Sequence, residues 1–191
     1  MEIKLILVIF HIIGVALGLG GATISDVLFF YSVKNKTISG DEVNLLRAVS
    51  KVIWTGIILL IVTGIGFLVL RYLTAGSING IELLHNGRFQ TKMFIVAVIF
   101  INGLVFHFKV FPLIRKYTGL SLQNDEIKKR LPLFAATGAI SIISWYSALF
   151  LAFLKFLTYS FAFLVNIYLL IIFVGIIFAY FSVSHSFFPK K

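Results

Sequence analysis

The chain predicts an all-α polytopic membrane protein, a bundle of five transmembrane helices with the N-terminus out and the C-terminus in. Three observations carry that prediction. Hydrophobic residues make up 60% of the 191 positions and mean hydropathy is +1.04, against roughly 45–50% apolar residues in a soluble domain. Apolar runs of about 20 residues, enough to cross roughly 30 Å of hydrocarbon at about 1.5 Å per residue, occur five times. The basic residues are sorted by loop in the way membrane orientation sorts them. Backbone amides cannot stay unpaired in lipid, so each run is expected to be helical, and the period-two alternation of a membrane β-barrel is absent.

The first span is expected at 3–31. Only Lys4 precedes its apolar run and no small-residue cleavage site follows, so it reads as a retained helix rather than a removed signal peptide. The second and third spans are expected at 49–73 and 92–114, the fourth and fifth at 131–157 and 162–188. Short connections make residues 1–191 a single integral membrane domain without a soluble catalytic module. Between the second and third spans, Asn79-Gly80 and Asn86-Gly87 are turn signals that bracket an ordered cap over 81–85. The polar stretch 118–130 leads into the fourth span, with Asn124 or Asp125 placed to cap a brief helix. No internal repeat is visible, which weighs against an inverted-repeat transporter.

A net charge of +10 in a soluble protein would suggest nucleic acid; here it reports topology, and the expected surroundings are a lipid bilayer. Lys34, Lys36, Arg47 and Lys51 flank the first loop, Lys109, Arg115, Lys116, Lys128, Lys129 and Arg130 the third, and Lys190 and Lys191 end the tail. Lys4, Arg71, Arg88, Lys92 and Lys155 mark the opposite side. The positive-inside rule then gives the stated orientation, in a bacterial-type inner membrane. The chain has no cysteine, so disulfides, thiolate metal sites and cysteine nucleophiles are excluded. Phosphate-binding loops, nucleophile elbows, zinc-protease motifs and dinucleotide fingerprints are missing as well.

Candidate functional residues concentrate in the first span. Steps of three and four place His11, Gly14, Gly18, Ala22, Ser25 and Phe29 on one stripe. Such a face serves either as a packing seam for a neighbouring helix or as a slot for a flat ligand beside His11. An imidazole within a span faces a partner or a cavity. It is therefore either a ligand or proton carrier, or a neutral ring hydrogen-bonded across helices to Ser144, Tyr146 or Asn102. The first, third and fifth helices run the same way, so depth tests a second ligand independently of orientation. At about 1.5 Å per residue, His11 lies roughly 12 Å from the outer end, His107 roughly 23 Å and His185 roughly 34 Å. His11 with His185 is disfavoured as a ligand pair, while His11 with His107 requires helix tilt, and His85 would have to fold back. Asp26 falls near the level of Lys51 and His185, an inner polar cluster that reads either as an Asp26 ion pair with Lys51 or Arg47 or as a proton or ligand site. Trp145 and Tyr146 are expected to pack inside the bundle.

The segments His11-Ile12-Ile13-Gly14, Gly20-Gly21, Leu46-Arg47, Ser50-Lys51, Trp54-Thr55-Gly56 and Thr63-Gly64 together resemble a group of small bacterial membrane proteins that includes HemJ-type protoporphyrinogen oxidases and CopD-like copper-related proteins. The resemblance covers about 65 residues at the N-terminal end. It implies that His11 ligates b-type haem and that Lys51 or Arg47 holds a porphyrin carboxylate, with Gly14 and Gly18 beside the ring. It departs from the pattern at Leu17-Gly18-Leu19-Gly20, where aromatic residues are expected, and at Asp26, where a basic residue is more familiar. Two functional expectations stand side by side: haem or metal binding through His11, with a redox or haem-metabolism role; and a non-enzymatic permease-like or assembly subunit, in which His11 and Asp26 serve packing or proton coupling. A homo-oligomer or a membrane partner subunit is compatible with either, and nucleic acid with neither.

Overall fold

The computed structural model describes residues 2–35, 37–120, 125–154 and 159–187. Five helices follow in order: α1 (Glu2–Asn35), α2 (Gly40–Leu84), α3 (Gly87–Lys116), α4 (Asp125–Phe153) and α5 (Phe161–Phe187). Each contains a stretch long and apolar enough to cross a membrane.

The helices start and stop where capping chemistry dictates, and this moves several boundaries away from the edges of the apolar runs. Helix α2 begins nine residues before the expected 49, at Gly40, because Ser39-Gly40-Asp41-Glu42 forms a capping box. The Ser39 N–H donates to Glu42 Oε2 at 2.7 Å and the Glu42 N–H to Ser39 Oγ at 3.2 Å. Its added first turns are amphipathic and bury Val43 and Leu46. The expected turn at Asn79-Gly80 is not formed, since α2 continues to Leu84; a helical glycine costs only about 1 kcal/mol, less than breaking the backbone ladder there. Of the two turn signals only the second operates. Asn86 caps α3, its side chain accepting from the N–H groups of Arg88 and Phe89 at 3.1 and 3.3 Å. Asp125 opens α4, while Asn124 lies outside the described residues.

Helix α3 widens into a π-turn at Phe106–Val110, closed by the Phe111 N–H donating to the Phe106 carbonyl. Pro112 explains it. The proline offers no N–H and its ring crowds the carbonyl of the preceding turn, and a π-turn takes up that misfit without ending the helix.

Helices α1 and α2 form a tight antiparallel pair. Leu7 meets Gly66, Gly14 and Gly18 meet Gly56, and Gly21 meets Ile53. A Cβ on Gly56 would stand 2.6 Å from the Gly18 nitrogen and 2.8 Å from the Gly14 carbonyl oxygen, so the two backbones touch and only glycine fits. Helix α4 packs against α1, α3 and α5 and carries Trp145, which is 3% exposed, across the Gly18 surface of α1. Tyr146, expected inside, is 36% exposed, because the next position on a helix turns about 100° away from a buried neighbour.

The core divides into two apolar clusters. One, centred on Val110, Ile114, Ile127 and Leu131, lies at the end where α2 begins and α3 finishes. The other gathers Ala22, Ile57, Ile95, Ile99, Trp145 and Tyr168. Connections at the first end are tied together by the Gly119 N–H, which donates to the Ile38 carbonyl at 2.8 Å; Gly119 adopts φ 77°, a conformation that favours glycine.

Candidate functional site

Between the two apolar clusters lies a polar layer, and each of four helices contributes to it by the same local pattern. On α1, Asp26 stands one turn from Ala22 of one cluster and one turn from Phe29, which packs on the other. On α2, Ser50 lies between Leu46 and Ile53; on α3, Asn102 lies between Ile99 and Phe106. On α4, Thr137, Gly138 and Ser141 lie between Phe134 and Trp145. Helical spacing of three to four residues keeps all three groups of each helix on one inward face. The polar residues line a cavity of about 90 Å³, together with Trp54, Trp145 and other apolar side chains. That volume holds several waters or one small solute.

Among the described residues, Asp26 is the only ionisable one lining the cavity. Its Oδ2 is buried and accepts no hydrogen bond. The carboxylate reaches towards α4, with Oδ1 3.5 Å from the position a Cβ would take on Gly138. Around it, hydrogen-bonding capacity is unevenly spent. The Asn102 amide donates from Nδ2 to the Thr137 carbonyl at 3.0 Å, and the Thr137 hydroxyl donates to the Leu133 carbonyl at 2.8 Å. These two hydrogens go to backbone carbonyls, while the second Asn102 N–H, its side-chain oxygen and the hydroxyls of Ser25, Ser50 and Ser141 remain for the cavity.

The expected inner cluster of Asp26, Lys51 and His185 does not assemble. Lys51 and His185 are exposed and neither lines the cavity. Arg47 is exposed too, its guanidinium 5.8 Å from the Phe111 ring centroid. Among the described residues, neither Lys51 nor Arg47 forms an ion pair with Asp26, and the pair that does occur, Lys116–Glu126 at 3.5 Å, is exposed. At the level of Asp26 the residue that faces inward from α2 is Ser50, and Lys51, one position on, turns away.

His11 has found a partner, though not one of the three expected. Its Nδ1 lies 2.8 Å from Thr63 Oγ1 on α2. The Thr63 hydroxyl donates to the Leu59 carbonyl at 2.6 Å, so the imidazole supplies the proton of the cross-helix bond and Nδ1 carries it. Phe67 meets the ring edge-on at 5.6 Å. The expected partners are engaged elsewhere: Ser144 with Tyr168 at 2.7 Å, Asn102 with Thr137, and Tyr146 with Thr23 at 3.4 Å. His107 is exposed within the π-turn, its ring against Phe108, and no described contact joins it to His11. Among the described residues no group of three His, Cys, Asp or Glu side chains is arranged to hold a metal ion.

The surface formed by Gly14 and Gly18 is filled by the chain itself. Gly14 abuts Gly56, Leu59 and Leu60, and Gly18 is covered by the Trp145 indole. This packing does not fit a porphyrin laid against that face of α1. Of the two ring nitrogens of His11, Nδ1 is taken by Thr63.

Thr137, Gly138 and Ser141 are the site residues that sequence reasoning missed. Their signal was present as a run of small and hydroxyl residues at helical spacing in an otherwise apolar span, ending one turn before Trp145. No family model matches the chain, and no curated protein or solved structure matches it either.

Proposed function

We propose that the chain is a multi-pass membrane protein of the permease type, non-enzymatic, in which Asp26 exchanges a proton or a small cation within the polar layer. The observation that carries this reading is the buried, unbonded Oδ2 of Asp26 inside a cavity lined by four helices. A carboxylate within a membrane span is costly and characteristically marks an ion or proton pathway. A structural role would require a fixed counter-charge, and neither Lys51 nor Arg47 supplies one. The two apolar clusters above and below the layer are the barriers that such a site requires, and the π-turn at Phe106–Val110, with both end residues on the cavity wall, is a point at which α3 can rearrange. The distribution of basic loops supports insertion with the N-terminus out.

The test is modification of the detergent-purified protein by a hydrophobic carbodiimide, which attacks uncompensated carboxyl groups in apolar surroundings, followed by peptide mapping. Adduct on Asp26, and its absence in Asp26→Asn, is the expected result. An unreactive Asp26 beside modified surface carboxylates would refute the reading.

A second reading has one specific observation in its favour. The Nδ1–H of His11 is held by Thr63, and an imidazole fixed through one nitrogen presents the other to a metal or haem iron. A Soret band in the purified protein, lost in His11→Ala, would support that reading, and a colourless protein from haem-replete cells would remove it.

A further inference from the structure

The cavity is not neutral in its preferences. Among the described residues it presents one carboxylate and no lysine, arginine or histidine. The Nδ2 of Asn102 is directed at the Thr137 carbonyl, and the Thr137 hydroxyl proton at the Leu133 carbonyl. Asn102 keeps its side-chain oxygen and a second N–H, Thr137 keeps its hydroxyl lone pairs, and Ser25, Ser50 and Ser141 bring three more hydroxyls, so polar groups able to orient a solute surround the one charge, Asp26. An anion would meet the carboxylate charge unopposed, and only a cation can displace the Asp26 proton without leaving a charge uncompensated in a low-dielectric layer. Hard metal ions are commonly held by several carboxylates, and among the described residues Asp26 is the single carboxylate lining this space.

The remaining wall is apolar, and Trp54 and Trp145 are among the aliphatic and aromatic side chains that border the same space. Aromatic rings attract organic cations, and a flat guanidinium both stacks on them and donates two parallel hydrogen bonds to a carboxylate. We propose that the polar layer binds a small cation rich in N–H donors, of the guanidinium or alkylammonium class, at Asp26 in exchange for a proton. The exchange balances simply: the Asp26 carboxyl loses one proton to solvent as the cation takes its two oxygens, and the charge of the layer is unchanged. The proposal rests on reading Asp26 as the working group, as set out above.

The experiment repeats carbodiimide modification of the full chain with millimolar guanidinium chloride, with urea as its neutral isostere, with tetramethylammonium chloride as a cation lacking N–H groups, and with sodium chloride at matched ionic strength. Guanidinium is expected to lower Asp26 modification at least fivefold while the other three leave it unchanged. A parallel measurement in weak buffer follows proton release on adding guanidinium, with about one proton per chain expected from the wild type and none from Asp26→Asn. Equal protection by urea, tetramethylammonium or sodium overturns the donor-rich cation as the occupant. Modification of Asp26 that guanidinium does not reduce overturns this proposal and leaves the permease reading standing, whereas failure of Asp26 to react at all overturns both. The protection arm uses the wild-type protein, so it decides the matter even where Asp26→Asn does not fold.

Discussion

His11 and Asp26 stand about four turns apart on the same helix, both ionisable, both inside the first span, and their surroundings are opposite. His11 lies on the α1–α2 seam, where two backbones meet through glycines, and its Nδ1 is satisfied by Thr63. Asp26 faces away from any fixed partner, into a space shared by α1, α2, α3 and α4, with one oxygen buried and unbonded. The difference teaches that a polar residue in a membrane span declares a function less by its own chemistry than by whether its neighbours complete it. The imidazole is bonded across the seam, and the carboxylate is left open to the cavity.

The comparison breaks most severely at the seam. Gly56→Leu places carbon atoms where the Gly18 nitrogen and Gly14 carbonyl already sit, and overpacking a tight interface costs about 1–3 kcal/mol or more. Loss of a monodisperse peak by fluorescence size-exclusion chromatography is the expected outcome, together with the loss of both sites. Gly20→Ala serves as its control: open space surrounds Gly20, so the alanine is expected to raise the melting temperature slightly, by up to about 1 kcal/mol of helix preference.

Thr63→Val sharpens the comparison at the satisfied end. The shape is kept, but the His11 N–H loses its acceptor, a buried unmet donor worth about 1–3 kcal/mol. Thermal unfolding in detergent should show that loss, and His11→Ala combined with Thr63→Val should cost less than the two separate changes added together.

The smallest effect is expected outside the spans. The Tyr117 hydroxyl donates to Glu126 Oε2 at 2.7 Å. That bond, with Lys116 helping, holds the Glu126 carboxyl below its ordinary 4.5, and the same bond pushes the Tyr117 hydroxyl above its ordinary 10.0. A depressed carboxylate contributes stability above its unfolded value and loses it as pH falls through the folded one. A small deficit in Tyr117→Phe should therefore be visible at pH 7 and disappear on acidification well below 4.5. A deficit that persists unchanged at pH 3 would show that the phenol acts by packing instead.

Much of the fold was legible in the sequence, because five apolar runs leave few alternatives to five helices. The ends were less so. Hydropathy locates a span but is blind to caps, and the Ser39–Glu42 box extends α2 into polar sequence while Asn79-Gly80, a turn signal in water-soluble chains, stays helical. The small-residue stripe of α1 was readable as a seam or a slot; Gly56 and Trp145, from two other helices, fill it. The Asp26 cavity was half visible. Asp26 and Asn102 stood out as polar residues in apolar spans, but the layer exists only because Ser50, Asn102 and Thr137 arrive at one level from three other helices. Depth counting could align Asp26 with Lys51; it could not tell that Ser50, one position earlier, is the residue that faces inward.

The most direct test of the contrast is the stability of Asp26→Asn measured beside Thr63→Val in the same detergent. With no partner to lose, Asp26→Asn is expected to melt within about 1 kcal/mol of the wild type, or above it, because an amide of the same shape replaces an unpartnered buried carboxyl. A loss of about 3–5 kcal/mol, the signature of a broken buried ion pair, would show that Asp26 is a paired structural group and contradict the account.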